Sequence, residues 1–324
     1  MASAASEASA ASAFIIGVNG QDGRYLYDLL AVQGYELWGI DRETARGSKD
    51  CPWVRPVDIT DPEDVRRAVD AFKPGQVYHL AAYHHSSQNA PGGELAELLD
   101  HSYQVHVLSL ANFLEAIQKY SPRSRLFYAA SSHIFGAPPV EPQDEMTAIN
   151  PHTAYGITKA CGIFLCRAYR QKFGLFSSAG ILYNHESVYR SEQFVSMKII
   201  RGAFKIKKGL QEQIVLGDLS AEVDWGYAPD YVNAMSRILR LPEADEFIIA
   251  TGVKHTVQEF VEIAFGCLGL DWQKYVSEQG GILKRSIPQM LGNPQKLMLK
   301  TGWKPSVSFR EMIAIMVRQV ELDG

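Results

Sequence analysis

The apolar run Phe14-Ile15-Ile16 breaks directly into Gly17-Val18-Asn19-Gly20-Gln21-Asp22-Gly23 and resumes as Arg24-Tyr25-Leu26-Tyr27-Asp28-Leu29-Leu30. This order reads as a strand, a tight glycine turn and an amphipathic helix. Glycines so spaced let backbone approach a pyrophosphate, which then sits on the positive end of the helix. The spacing is GxxGxxG rather than GxGxxG, and an ordinary glycine-rich turn is the plain alternative. A second apolar run, Glu36-Leu37-Trp38-Gly39-Ile40, ends in Asp41. An acid about 20 residues past the glycines suits a ribose diol and repels a 2′-phosphate. Arg42 follows and could accept that phosphate, so NAD is favoured over NADP.

The alternation continues down the chain. Val57-Asp58-Ile59-Thr60 reads as a strand, with Asp61-Pro62-Glu63 opening a helix as cap, N1 proline and first-turn acid. Strands follow at Gln76–Leu80, Leu126–Ala130 and Ser177–Leu182, with helices around 105–117 and from Tyr155 to about Phe173. This pattern means βαβ units: an α/β fold with a Rossmann-type doubly wound parallel sheet. The last third is less regular and reads as a smaller mixed α/β domain over the strands' carboxyl ends, where such sheets bind ligands.

Composition narrows the partners. A net charge of −4 over 324 residues advertises neither nucleic acid nor an anionic membrane. No apolar run approaches the length of a membrane span. The cysteines, Cys51, Cys161, Cys166 and Cys267, form no CxxC pair and read as reduced, buried thiols of a cytoplasmic protein. Residues 1–12 are small and polar, a disordered tail without the features of a signal peptide.

Tyr155-Gly156-Ile157-Thr158-Lys159 carries the chemistry. On a helix, Tyr-x-x-x-Lys places both side chains on one face, one turn apart. A neighbouring ammonium favours phenolate, which lowers a pKa normally about 10. A tyrosine so tuned takes a proton from a substrate hydroxyl, and Ser131 supplies a second hydrogen bond to the same oxygen. That is dehydrogenase chemistry.

At these residues the chain resembles the extended short-chain dehydrogenase/reductases, and within them the GDP-mannose 4,6-dehydratase family. Gly17-x-x-Gly20-Gln21-Asp22-Gly23, Leu80-Ala81-Ala82 and Ser131-Ser132-x-x-Phe135-Gly136 match family motifs. The most specific stretch is Gly180-Ile181-Leu182-Tyr183-Asn184-His185-Glu186-Ser187, followed by Arg190, Glu192, Phe194-Val195 and Lys198-Ile199. Leu216-Gly217-Asp218-Leu219, Asp224-Trp225-Gly226-Tyr227-Ala228 and Gly302-Trp303-Lys304-Pro305 complete the set. The resemblance implies a dinucleotide-binding domain over 13–182 and about 224–252, and a nucleotide-sugar domain over about 183–223 and 253–324. It places Asp58 and Ile59 near the adenine. It sets His84, His85, Ser132, Asn184, Glu192, Val195, Lys198, Leu216 and Arg285 around a nucleotide-diphosphate sugar, expected to be guanosine-linked. For Asp58 a plain turn cap stays open, as do a solvated helix charge for Lys198 and a backbone-satisfying loop amide for Asn184.

The implied reaction starts with oxidation at C4 of the sugar, for which Tyr155, Lys159 and Ser131 match residue by residue. A second group then removes the C5 proton and helps water leave from C6. There the family has Thr-x-Glu where this chain reads Ser131-Ser132-His133, so the glutamate is replaced. Three readings of His133 stand. An imidazole could be the base for elimination; the site could oxidise C4 without eliminating water, as an epimerase, ketosugar reductase or dehydrogenase; or His133 could be structural. The arginine that the family carries before Asp-Trp-Gly is Val223; either Lys198, Lys284 or Arg285 substitutes for it, or the ligand differs. His106 stands where the family has asparagine or aspartate, without an explanation in the sequence. The segment through which family tetramers form is missing, which favours a homodimer through the helices near Val105 and Tyr155. Three histidines (His84, His85, His133) could bind zinc; the preferred expectation is no metal. A non-catalytic dinucleotide-binding relative is the rival from another class, and intact Ser131, Tyr155 and Lys159 argue against it.

Overall fold

The computed structural model describes residues 11–41, 54–83, 95–280 and 290–323. The expectations for Arg42, Cys51, His84, His85, Lys284 and Arg285 lie outside the described residues. Strands are β1 (Ser12–Ile16), β2 (Glu36–Asp41), β3 (Val54–Pro56), β4 (Gln76–His79), β5 (Arg125–Ser131), β6 (Phe176–Leu182), β7 (Asn184–Glu186), β8 (Ile214–Leu216), β9 (Glu222–Tyr227), β10 (Glu246–Ile249), β11 (Lys254–Thr256) and β12 (Val276–Glu278). Helices are α1 (Gln21–Val32), α2 (Pro62–Phe72), α3 (Leu95–Tyr103), α4 (Ser109–Tyr120), α5 (Ala154–Phe173), α6 (Val195–Lys207), α7 (Ala228–Ile238), α8 (Val257–Cys267), α9 (Gln295–Thr301) and α10 (Phe309–Asp323).

Among the described residues the main sheet has seven strands in the order β10-β6-β5-β4-β1-β2-β3, every pair parallel. This is the doubly wound order, reversing direction between β1 and β4. Alternate side chains of β1 serve different cores. Phe14 and Ile16 join the cluster under α2, α4 and α5; Ala13 and Ile15 join the cluster under α1 and α7. Burial on both faces explains why the strands read as apolar runs rather than alternating ones. A third cluster, built by α6, α8 and α10, stands beyond the sheet's carboxyl edge with the small sheets β11-β9-β7 and β12-β8.

Four local expectations change. The third strand is Val54–Pro56, not 57–60: Asp58 instead accepts hydrogen bonds from the backbone (2.9 Å) and hydroxyl (2.6 Å) of Thr60, which turns the chain. The tail ends earlier than residue 12, because Ser12 opens β1 and Ala11 accepts from the Glu36 amide at 2.8 Å. Cys267 is exposed, whereas Cys166 is buried. The helix expected around 105–117 is the later part of a longer run, in which a π-helical turn (Gln104–Leu108) joins α3 to α4. The Asp61 cap forms as expected, accepting from the Glu63 amide at 2.9 Å. No helix among the described residues is long and apolar enough to cross a membrane.

Candidate active site

The glycine turn lies where β1 meets α1. Gly17 has φ +86°, and a β-carbon there would stand 2.9 Å from the Ala81 amide nitrogen, so turn and Leu80-Ala81-Ala82 segment close only around glycine. Gly20 caps α1 without a side-chain bond, which leaves the first-turn amides to face an anion. Asp41 ends β2 beside them and accepts from the Asn19 amide at 3.2 Å. Gly17, Gly20, Gly23, Asp41 and Ala81 thus form a cradle that fits a dinucleotide. Gln21 and Asp22 face away from it, bonded to the segment after β6. Ile59 packs on the core beneath α2 and Ala82 is exposed.

Ser131 ends β5, and α5 carries Tyr155 and Lys159 to it. Thr153 starts α5 by accepting from the Gly156 amide at 3.0 Å. Ser131 hydrogen-bonds the Tyr155 phenol, and its hydroxyl also accepts from the His133 amide at 3.3 Å. His133 lies on the 3-10 turn Ser132–Phe135, with Ser132 buried. A β-carbon on residue 156 would stand 2.5 Å from the His133 carbonyl oxygen, so Gly156 is what lets this turn rest on α5. The His133 ring then stands edge-on to Tyr155, centroids 5.6 Å apart at 86°. The fold gathers Ser131, His133, Tyr155 and Lys159 in one place.

The electrostatics differ from the sequence reading. Burial pushes the Tyr155 phenol up to about 12, against pulls from Arg190 and from the Ser131 hydrogen bond. Burial also pulls Lys159 down to about 7. Its ammonium donates to the Ala129 carbonyl at 2.8 Å and lies 5.7 Å from the Tyr155 ring centre. The phenol thus lies above its ordinary value, where the Tyr-x-x-x-Lys spacing predicts it below, because desolvation outweighs the pulls of Arg190 and Ser131.

His106, unexplained by sequence, has a clear task. The π-helical turn rolls it inward, where Nε2 accepts from the Tyr83 amide (2.9 Å) and Nδ1–H donates to Thr158 Oγ1 (2.8 Å). The acceptor role at Nε2 makes the ring neutral. Its edge meets Tyr155 from the side, centroids 5.3 Å apart at 88°. A break in helical period carries no sequence signal, so this role was not legible.

The expected sugar-side residues spread out. Asn184 is exposed at the start of β7, and Lys198 is half-buried in the first turns of α6, where burial lowers its pKa. Glu192 is exposed and pairs with Arg201 (3.1 Å) and Lys205 (3.7 Å). The side chain of Leu216 is closed inside the third core, and its carbonyl accepts from the Gln279 amide at 2.9 Å. Val195 packs on that same core. Arg190 stands nearer the centre, its guanidinium 3.7 Å over the Phe194 ring and its Nε 3.6 Å from Glu186.

The fold matches solved enzymes of the short-chain dehydrogenase/reductase type. UDP-glucose 4-epimerase of Thermus thermophilus, crystallised with NAD, superposes with a TM-score of 0.82 at 24% identity, over 96% of this chain and 99% of that one. The chain belongs to the GDP-mannose 4,6-dehydratase family, whose model spans residues 14–316. GDP-mannose 4,6 dehydratase 2 of Arabidopsis thaliana is 35% identical over 325 residues, covering 94% of this chain and 85% of the relative. GDP-mannose 4,6-dehydratase of Vibrio cholerae is 30% identical, covering 95% and 93%.

Proposed function

We propose that this protein is a nicotinamide-dependent 4,6-dehydratase of a GDP-linked hexose, with GDP-mannose as the first substrate to try. The observation that carries this reading is the edge-on setting of His133 against Tyr155, beside Ser131 and Lys159. Two proton-handling groups one sugar ring apart can act on neighbouring carbons. Tyr155 takes the O4 proton, with Ser131 bonded to the same oxygen, and Lys159 stabilises the phenolate as it forms. His133 takes the C5 proton and returns it to the hydroxyl leaving C6, the task of the family's glutamate. A bound nicotinamide dinucleotide supplies a reversible hydride acceptor.

Asp41, at the end of β2 and bonded to the Asn19 amide of the glycine turn, supports NAD over NADP, since an acid there suits a ribose diol and repels a 2′-phosphate. A homodimer is supported by α3 and α5. Leu95, Leu99 and Tyr103 on the first, and Ile157 and Phe164 on the second, are exposed large apolar side chains on packed neighbouring helices. Light scattering on Phe164→Glu tests this; a monomer is expected. The function itself is tested by incubating the protein with GDP-mannose and weighing the product. A product lighter by one water, with no net change in nicotinamide, is expected. A product of unchanged mass would remove the dehydratase reading.

A further inference from the structure

Asp22 and His185 are 163 positions apart and meet beneath the glycine turn. His185 Nε2 lies 3.1 and 3.0 Å from the two Asp22 carboxylate oxygens, and Nδ1 lies 2.8 Å from the Tyr183 carbonyl oxygen. Both neighbours are acceptors. A neutral imidazole has one N–H and would leave a ring lone pair against an oxygen, whereas imidazolium donates at both ends. The ring is buried and Tyr231 stacks on it, centroids 4.6 Å apart at 21°. A second strap runs alongside: Gln21 Nε2 donates to the His185 carbonyl (3.1 Å), and Gln21 Oε1 accepts from Ser187 Oγ (2.9 Å).

We infer that Asp22 and His185 form a charged clamp that holds the dinucleotide turn onto segment 184–187, registering the cofactor's seat against the sugar's. They are positioning residues, and the naming of the two seats rests on the function proposed above. The groups facing the ring are Asp22 from α1, Arg190 from the segment after β7 and Tyr231 from α7. Burial and Arg190 oppose the imidazolium, and the Asp22 carboxylate outweighs them, so His185 titrates above its ordinary value. Burial likewise pushes Asp22 up, and His185, Gln21 and Arg190 bring it below its ordinary value. The clamp therefore holds between those limits. It is lost as pH rises through the raised His185 value or falls through the lowered Asp22 value.

The test uses the full chain. Ring 15N NMR near neutral pH, with His185 assigned by its loss in His185→Gln, should show both nitrogens protonated; a singly protonated ring overturns the clamp. Hydrogen-exchange mass spectrometry over peptides covering 17–26 should show exchange on the order of 10-fold faster in His185→Gln and in Asp22→Asn, with the double variant no faster than either. Unchanged exchange in whichever variants fold overturns it. Adding GDP should slow exchange at 17–26 in the wild type only, while slowing 184–198 in all. If GDP slows exchange nowhere, the sugar-nucleotide reading fails, and the ring protonation and the exchange measured without GDP still decide the clamp.

Discussion

The Tyr155 end of the site and the glycine turn bury their titratable groups in opposite ways. At the Tyr155 side burial dominates, so the phenol rises to about 12 and Lys159 falls to about 7. Each is drawn toward its neutral form. At the glycine-turn side Asp22 and His185 are buried as a pair, and each is drawn toward its charged form. Reactivity follows from that contrast. Paired charges are locked and can hold structure, while Lys159, brought by burial to about 7, stays close to proton exchange and answers to an arriving ligand.

The contrast is tested hardest at Tyr155. Tyr155→Phe keeps the packing and removes the proton acceptor, so kcat should fall at least about 10³-fold in a product-formation assay. A fall of less than tenfold would mean that the reactive end lies elsewhere. Next comes Lys159, whose folded value of about 7 lies below its ordinary value of 10.5. The unfolded chain therefore holds the proton longer, and folding bears the cost of the charge in full below about 7. That cost is relieved as pH rises toward 10.5. Lys159→Met should stabilise the protein at pH below 7 by on the order of 2–4 kcal/mol, with the gain shrinking in alkali. Denaturant melts across pH check this; a pH-independent difference would contradict it.

Gly156→Ala disturbs one group of the reactive side only. The new β-carbon meets the His133 carbonyl, so the 3-10 turn must lift. Stability should drop by about 1–3 kcal/mol in thermal melts. Water loss should suffer more than C4 oxidation. Asp41→Ala, on the glycine-turn side, should have the smallest effect, with the preference for NAD over NADP in titrations shrinking on the order of 10-fold.

Much of this was legible in the chain. Strand–turn–helix alternation set the parallel sheet, and the spacing from Ser131 to Lys159 pointed to the set proposed for oxidation, because helix and strand periods are local properties. The sign of the Tyr155 shift was not legible. A Tyr-x-x-x-Lys spacing tells that two groups are near, and desolvation depends on everything packed around them. His106 was missed because a π-helical turn sets its direction, and Asp22–His185 because the pair closes across 163 positions. The third strand was placed too late since Asp58 and Thr60, which read as strand, bond to each other instead.

In the proposed reaction His133 performs the elimination. The most direct measurement follows GDP-mannose with His133→Ala, recording bound-cofactor absorbance and product mass together. The expected result is a cofactor that still becomes reduced while no water is lost, with loss of water restored by His133→Glu. Dehydration by His133→Ala at the wild-type rate would contradict it.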